Sequence, residues 1–431
     1  MVEREAKDPD DLEAGFERDA HAAGIVLPRR HLTDPWGALA VVVALIVIAA
    51  GVGEVTGWIN LRVEPSGGGG FQTQTCSGSP VLLSGALSSE LDASLLAWLD
   101  AAGGQLSDAV GGCVHLNLTD SGSAGFSPLL SDPAIVFAAQ YLAPGAPSSG
   151  EPPSSLAFVP IALSAVGIVY DLPGIGGALN LSGPVLSGIF SGSITSWSDP
   201  AIAALNPTLD LSGTPPIEVF HDGGATAAND VLTEFLAGSS PSWNGSVGAG
   251  LSVAWPIGTP EPTDAAMATA VSQSPGAIGY LDLVGPSPAG LGVAQIEDAA
   301  GGFVGPNAVS TWAAAESFAS ATAVLTGAWS NLSLVGASAV GSYPISLLTY
   351  AGLFRDLGTA YSGAVSLSTA TWLLTYVYWL TGDATLSPLP LAYSSAALNE
   401  LNNETYYGTT IVHLDNENGE GGESGGETGE F

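Results

Sequence analysis

The chain has 431 residues, 46% of them apolar and 11% charged, which is room for two or three domains and excludes both a disulfide-held miniprotein and disorder throughout. Seven Lys and Arg stand against 41 Asp and Glu, and six of the seven (Arg4, Lys7, Arg18, Arg29, Arg30 and Arg62) precede residue 63. Over residues 63–431 Arg355 alone faces 31 carboxylates, so no basic nucleic-acid footprint exists there.

Residues 1–34 are mostly polar and carry five of the basic side chains. Trp36 to Gly53 is uncharged and the run continues past Glu54 to Trp58, so residues 35–58 read as one transmembrane anchor with aromatic ends. The basic excess before it puts 1–34 in the cytoplasm and the main domain outside, making a single-pass cell-membrane protein. A cleaved signal peptide and a buried soluble helix are the competing readings; the long polar start opposes the first. The second is opposed by PSGGGG at Pro65–Gly70, within a Gly-rich linker over 59–75. Cys76 and Cys113 both fall in the outer part, where oxidation is permitted, and are expected to pair.

Asp92 leads into ASLLAWLDAAGG, an apolar-faced helix with a glycine stop. VHLNL at Val114–Leu118 reads as a strand, TDSGSAGF as a Gly and Ser loop, AIVFAA at Ala134–Ala139 as a further strand, and Pro144–Ser155 as a surface loop. LAFVPIALSAVGIVY, residues 156–170, is a long buried strand, and IEVF (Ile217–Phe220) and AIGYL (Ala277–Leu281) continue an α/β alternation. The tail 415–431 is acidic, Gly-rich and without apolar period, hence disordered. Two widely spaced thiols and five scattered histidines offer no metal site, and no cofactor is implied. Without H-E-x-x-H or His and carboxylates clustered at catalytic spacing the chain reads as no enzyme, and His221 beside Asp222 reads as packing.

The scarcity of bases, rather than any crowding of acids, suits a domain that works in acid, where carboxyls are neutral and few cations remain to repel one another. Compositional drift in a Gly-, Ala- and Ser-rich surface protein is the alternative.

From Gly167 to Leu283 the blocks GIVYDLPG, LSGPVLSGIFSGSITSWSDPAIAALNP, IEVFHDG, LTEFL, VGAGLSVAWPIG and SPGAIGYLDL follow one another in order. SYPISLLTY at Ser342–Tyr350 and LPLAYSSA follow further on. This series resembles the phosphate-binding proteins of ABC phosphate transporters, of the type II periplasmic-binding-protein superfamily. The resemblance implies two α/β lobes with a ligand cleft between them: 76–163 as the first part of lobe 1, 164–285 as an inserted lobe 2, and 286–398 as the rest of lobe 1. It also implies partners: phosphate or a similar oxyanion, ABC permease and ATPase subunits, and the membrane through the anchor.

By the same resemblance three loops supply the site. Ser88 and Ser89 stand in the family's first glycine loop, Ser121, Gly122 and Ser123 in its glycine and serine loop, and Thr226 and Ala227 in its Ser-Gly-Thr loop. Hydroxyls and helix N-terminal N–H groups are what an oxyanion needs. The chain departs from the family where its arginine falls on Asp222 and its cleft aspartate on Tyr141. Two functions follow: a membrane-anchored extracellular binding protein for phosphate or another small oxyanion, or a degenerate copy of that fold serving as a cell-surface structural or interaction protein.

Overall fold

A computed structural model describes residues 81–88, 95, 97–99, 101–103, 114–120, 126–142, 155–284, 290–361, 365–382 and 389–411. The expected tail 1–34, anchor 35–58, linker 59–75, Cys76, Cys113 and the tail 415–431 lie outside them. Among the described residues no helix is long and apolar enough to cross a membrane. The chain divides into units 1–73 and 74–431, and all described residues belong to the second.

The strands are β1 (Val81–Leu87), β2 (Val114–Asp120), β3 (Phe137–Tyr141), β4 (Leu156–Tyr170), β5 (Asn180–Leu181), β6 (Glu218–Asp222) and β7 (Thr259–Glu261). They continue with β8 (Ala277–Leu283), β9 (Gly292–Val293), β10 (Gln295–Glu297), β11 (Phe303–Val304), β12 (Ser346–Phe354), β13 (Thr405–Tyr406) and β14 (Thr409–Thr410). The main sheet runs β2-β1-β3-β12-β4-β8-β6-β7, with β9 also on β4. The strand β4 organises it. Its 15 residues are all buried, as an uninterrupted apolar run requires when both faces are covered, and it extends roughly 50 Å at about 3.3 Å per residue. Its first part pairs with β12 as far as Ala165–Ser346, and from Ala165–Leu283 onward it pairs with β8. Ala165 is thus the point where one lobe's sheet hands over to the other's. Pro160, which has no N–H for a ladder, sits at an irregularity where the register with β12 slips between Thr349 and Tyr350.

The helices used below are α1 (Gly183–Phe190), α2 (Ala227–Ser239), α3 (Pro241–Ser246), α4 (Asp264–Gln273), α5 (Ala308–Glu316), α6 (Leu367–Gly382) and α7 (Leu391–Leu401). Each lobe has a core on both faces of its sheet. In the first lobe, Leu83, Phe137 and Val159 pack with Leu373 and Tyr376 of α6 on one face, and Phe158, Leu348 and Tyr350 pack with Trp329 and Tyr393 on the other. In the second, Ile168, Trp197, Leu232, Trp243 and Tyr280 form the larger core, and Val169, Phe220, Met267 and Leu281 the smaller.

Two expectations need correction. The strand expected over 134–139 starts only at Phe137, because the Asp132 carboxylate accepts from Ala134 N at 2.9 Å and holds the preceding residues in a turn. The second lobe does not end at Gly285. Strand β9 pairs with Val169 and Tyr170, β10 pairs with β5, and Ala294, Ile296, Tyr343 and Ile345 share the core of Trp197 and Tyr280. Burial of those apolar side chains keeps residues 292–304 with the second lobe; Ala315, Val324, Trp329, Leu332 and Leu334 then pack into the first lobe's core, and Tyr343 and Ile345 rejoin the second just before β12 runs between β3 and β4.

Candidate functional site

The segment HDGGATAAND joins β6 to α2 and folds on its own hydrogen bonds. Thr226, extended at φ −118° and ψ 155°, caps the 13-residue helix α2, its Oγ1 accepting from Asn229 N at 3.0 Å. The same hydroxyl donates to Asp222 Oδ2 at 2.7 Å. Asn229 is buried; its Nδ2 donates to Gly224 O and Leu251 O at 2.8 and 3.1 Å, and its Oδ1 accepts from Tyr280 Oη at 2.5 Å. Tyr280 Oη in turn accepts from Asp222 N at 2.8 Å, which closes the ring. Asp222 is only 5% exposed, and burial pushes its pKa up to about 6 against the lowering effect of the Thr226 hydroxyl. Its carboxyl is turned onto Thr226 and does not stand as a lone charge before the helix.

The other described site residues come from the first lobe. Ser88 follows β1, is buried, and donates from its N to Ala139 O at 3.2 Å, two residues before Tyr141. Tyr141 ends β3, and its hydroxyl donates to Asp230 Oδ2 on α2 at 3.1 Å. Burial and the neighbouring carboxylates push the Tyr141 phenol well above its ordinary range, which keeps it a donor. Ser88, Tyr141, Asp222, Thr226 and Ala227 therefore all lie at the carboxyl ends of parallel strands, where α/β sheets carry their ligands. Ser89, Ser121, Gly122 and Ser123 lie outside the described residues. Beside the Tyr141 contact is a small recess, with room for about one water molecule, lined by, among others, Val231, Ser333, Ser346 and Tyr350.

No fixed cation serves this site from the described residues. Arg355, the single Lys or Arg after residue 62, lies six residues along the β12 direction from Thr349, the partner of Tyr141, or about 20 Å. There it binds Glu400 and lies 3.9 Å from Glu404. His221 stacks on Trp255 at 5.1 Å between ring centroids and makes a 2.9 Å contact to Asp222 O through Nδ1, a packing role.

A family model described as a PBP superfamily domain matches residues 151–384, more than half of the chain and inclusive of β4, the 222–229 loop and β12. The chain belongs to the PBP superfamily. The phosphate-binding protein PstS of Xylella fastidiosa is 35% identical over 199 residues, which are 44% of this chain and 51% of that protein. The PstS of Pasteurella multocida is 40% identical over 149 residues, 34% of this chain and 43% of that protein. The chain spans about half the length of the curated relatives it matches. Among solved structures, a high affinity periplasmic phosphate-binding protein bound with phosphate matches with a TM-score of 0.54 at 19% identity, over 75% of this chain and 98% of that one. A human phosphate binding apolipoprotein matches with a TM-score of 0.50 at 17% identity, over 75% and 99%. Both of these likenesses concern the two-lobed α/β fold.

Sequence reasoning missed Asn229, Asp230, Glu234, Tyr280 and Ser333. A signal for one was present: a Thr cap three residues before Asn229 marks a helix start, and its first turn carries Asp230. Nothing local pairs Tyr280 with a residue 51 positions earlier.

Proposed function

We propose that this protein is the substrate-binding component of an ABC importer for phosphate or a closely similar oxyanion. In this reading residues 35–58 anchor it in the cell membrane, and lobes outside close on the ligand. The ligand oxygens would be held by the hydroxyls and backbone N–H groups of Ser88, Ser89, Ser121, Gly122 and Ser123 from the first lobe and Thr226 and Ala227 from the second. Tyr141 and Asp222 take the places of an acid and a base in the family pattern. The observation that carries the reading is the 222–229 loop: a Thr-capped helix start at the end of a parallel strand, inside the segment that matches the superfamily domain.

Titration calorimetry of the whole chain with phosphate, at about pH 4 and about pH 7, tests it. One site per chain with measurable heat at the lower pH is the expected result. Silence at both, with Asp222→Arg also silent, rejects phosphate binding and leaves a cell-surface interaction role in front.

A further inference from the structure

Two contacts tie α2 of the second lobe to the first. Tyr141 Oη donates to Asp230 Oδ2 at 3.1 Å, and Ser333 Oγ donates to Glu234 Oε2 at 2.9 Å. Ser333 lies between Leu332 and Leu334, which pack with Trp329, Tyr350 and Tyr393 in the first lobe's core, whereas α2 packs through Val231, Leu232, Phe235 and Leu236 into the core of the second. Asp230 and Glu234 are four residues apart, hence neighbours on one face of the helix.

The seam has no base. The elements packed around α2, namely α1, α3, β4 and β8, contain no Lys, Arg or His, and neither do β3 and β12. The titratable groups that act on the two carboxyls are Tyr141 and the carboxyls on each other, with Tyr350 of β12 beside Tyr141; the other titratable groups on the elements packed against α2 are Tyr170 on β4 and Tyr280 and Asp282 on β8, with Asp222 and Asp264 next to Tyr280. Two ionised carboxylates in a half-buried seam without a cation repel each other and lose hydration; two neutral carboxyls accept the same hydroxyl bonds at neither cost.

We propose that Tyr141–Asp230 and Ser333–Glu234 form a proton-dependent clasp between the lobes, holding them together in acid and releasing them as the carboxyls ionise. Burial raises the pKa of both acids above their ordinary values, the Tyr141 and Ser333 hydroxyls lower them in part, and the charge of Asp230 raises Glu234 further. Opening the seam rehydrates both groups, so their open-state pKa values are lower and the closed form binds more protons. Closure is therefore fully favoured below the open-state values and lost as pH rises through the closed-state ones, by about tenfold for each unit of difference. The clasp stands on its own geometry; its consequence for the ligand rests on the function proposed above.

The test reads closure without ligand. Donor and acceptor dyes are attached through non-natural amino acids at Leu130 and Ala201, exposed positions of the first and second lobe, in the whole chain. Energy transfer is expected to change as pH is raised from about 4 to about 6.5, and the neutral isosteres Asp230→Asn with Glu234→Gln are expected to hold the acid value throughout. Tyr141→Phe with Ser333→Ala, which removes the donors, should shift the acid reading toward the open value. A flat wild-type profile, or a double carboxamide variant that still follows the wild-type profile, overturns the clasp.

A second arm measures phosphate affinity at about pH 4 and about pH 6, a window in which inorganic phosphate stays a monoanion. The wild type should lose at least about threefold more affinity than the carboxamide variant. Phosphate binding without pH-dependent closure refutes the clasp and leaves the function standing. PH-dependent closure without phosphate binding does the reverse.

Discussion

Asp222 stands where the resemblance would expect an arginine, and its surroundings show how a carboxyl is held there. The carboxyl accepts from the Thr226 hydroxyl, and the Asp222 N–H goes to Tyr280 Oη. The folded pKa of about 6 lies above the ordinary 3.8, so the carboxyl costs nothing below about pH 4 and increasingly destabilises the fold as pH rises through 6. Asp222→Asn keeps an acceptor for Thr226 and removes the charge. It should stabilise the protein by about 1–2 kcal/mol at neutral pH, one pKa unit being worth about 1.4 kcal/mol, and by nothing at about pH 4. Urea denaturation at the two pH values checks this, and equal stability changes at both would show that charge is not the cause.

At the scale of elements the segment joining α7 to the β13–β14 hairpin poses a similar problem. Glu404 has no exposure, and neither of its carboxyl oxygens has a hydrogen-bond partner among the described residues. Burial pushes its pKa up to about 8; Arg355 pulls the other way but is 3.9 Å off, partly exposed and already bound to Glu400, so burial prevails. Glu404 is thus neutral in the fold where the unfolded chain ionises near 4.5, and the stability it permits is complete below about pH 4.5 and gone above 8. Glu404→Gln should raise the melting temperature at about pH 8 and leave it unchanged at about pH 4.

Not all of this was legible in the chain. The strand over 156–170 was, because an uninterrupted run of apolar and β-branched residues has few alternatives once both faces are buried. The loop at 223–230 was placed by its block of residues, but the turning of Asp222 depends on Tyr280, 58 positions away, and the capture of β9 and β10 by the second lobe depends on cores that assemble only in three dimensions. Short strands of two or three residues carry too little periodicity to be seen.

For the whole molecule these carboxyls act in the same direction. Among the described residues Asp222, Asp230, Glu234 and Glu404 all hold their protons more tightly folded than unfolded, chiefly through burial. Asp356 opposes them: although its slight burial raises the pKa, bonds from Thr359 N, Gly408 N and Thr405 Oγ1 hold it down to about 2, so it supports the fold above 3.8 and ceases to do so as pH falls through 2. The net charge of −34 at neutral pH adds self-repulsion that fades as carboxyls are protonated, and with seven Lys and Arg in all little positive repulsion replaces it. Thermal stability should then peak at about pH 3–4, below the range of about pH 5–8 in which most proteins are most stable, and decline steadily toward pH 8. Melting curves from about pH 2 to about pH 9 decide between the two origins of the acidic composition. A maximum near neutrality would favour compositional drift, whereas one in acid means that the scarcity of bases, the neutral buried carboxyls and the base-free seam at α2 are parts of one adaptation.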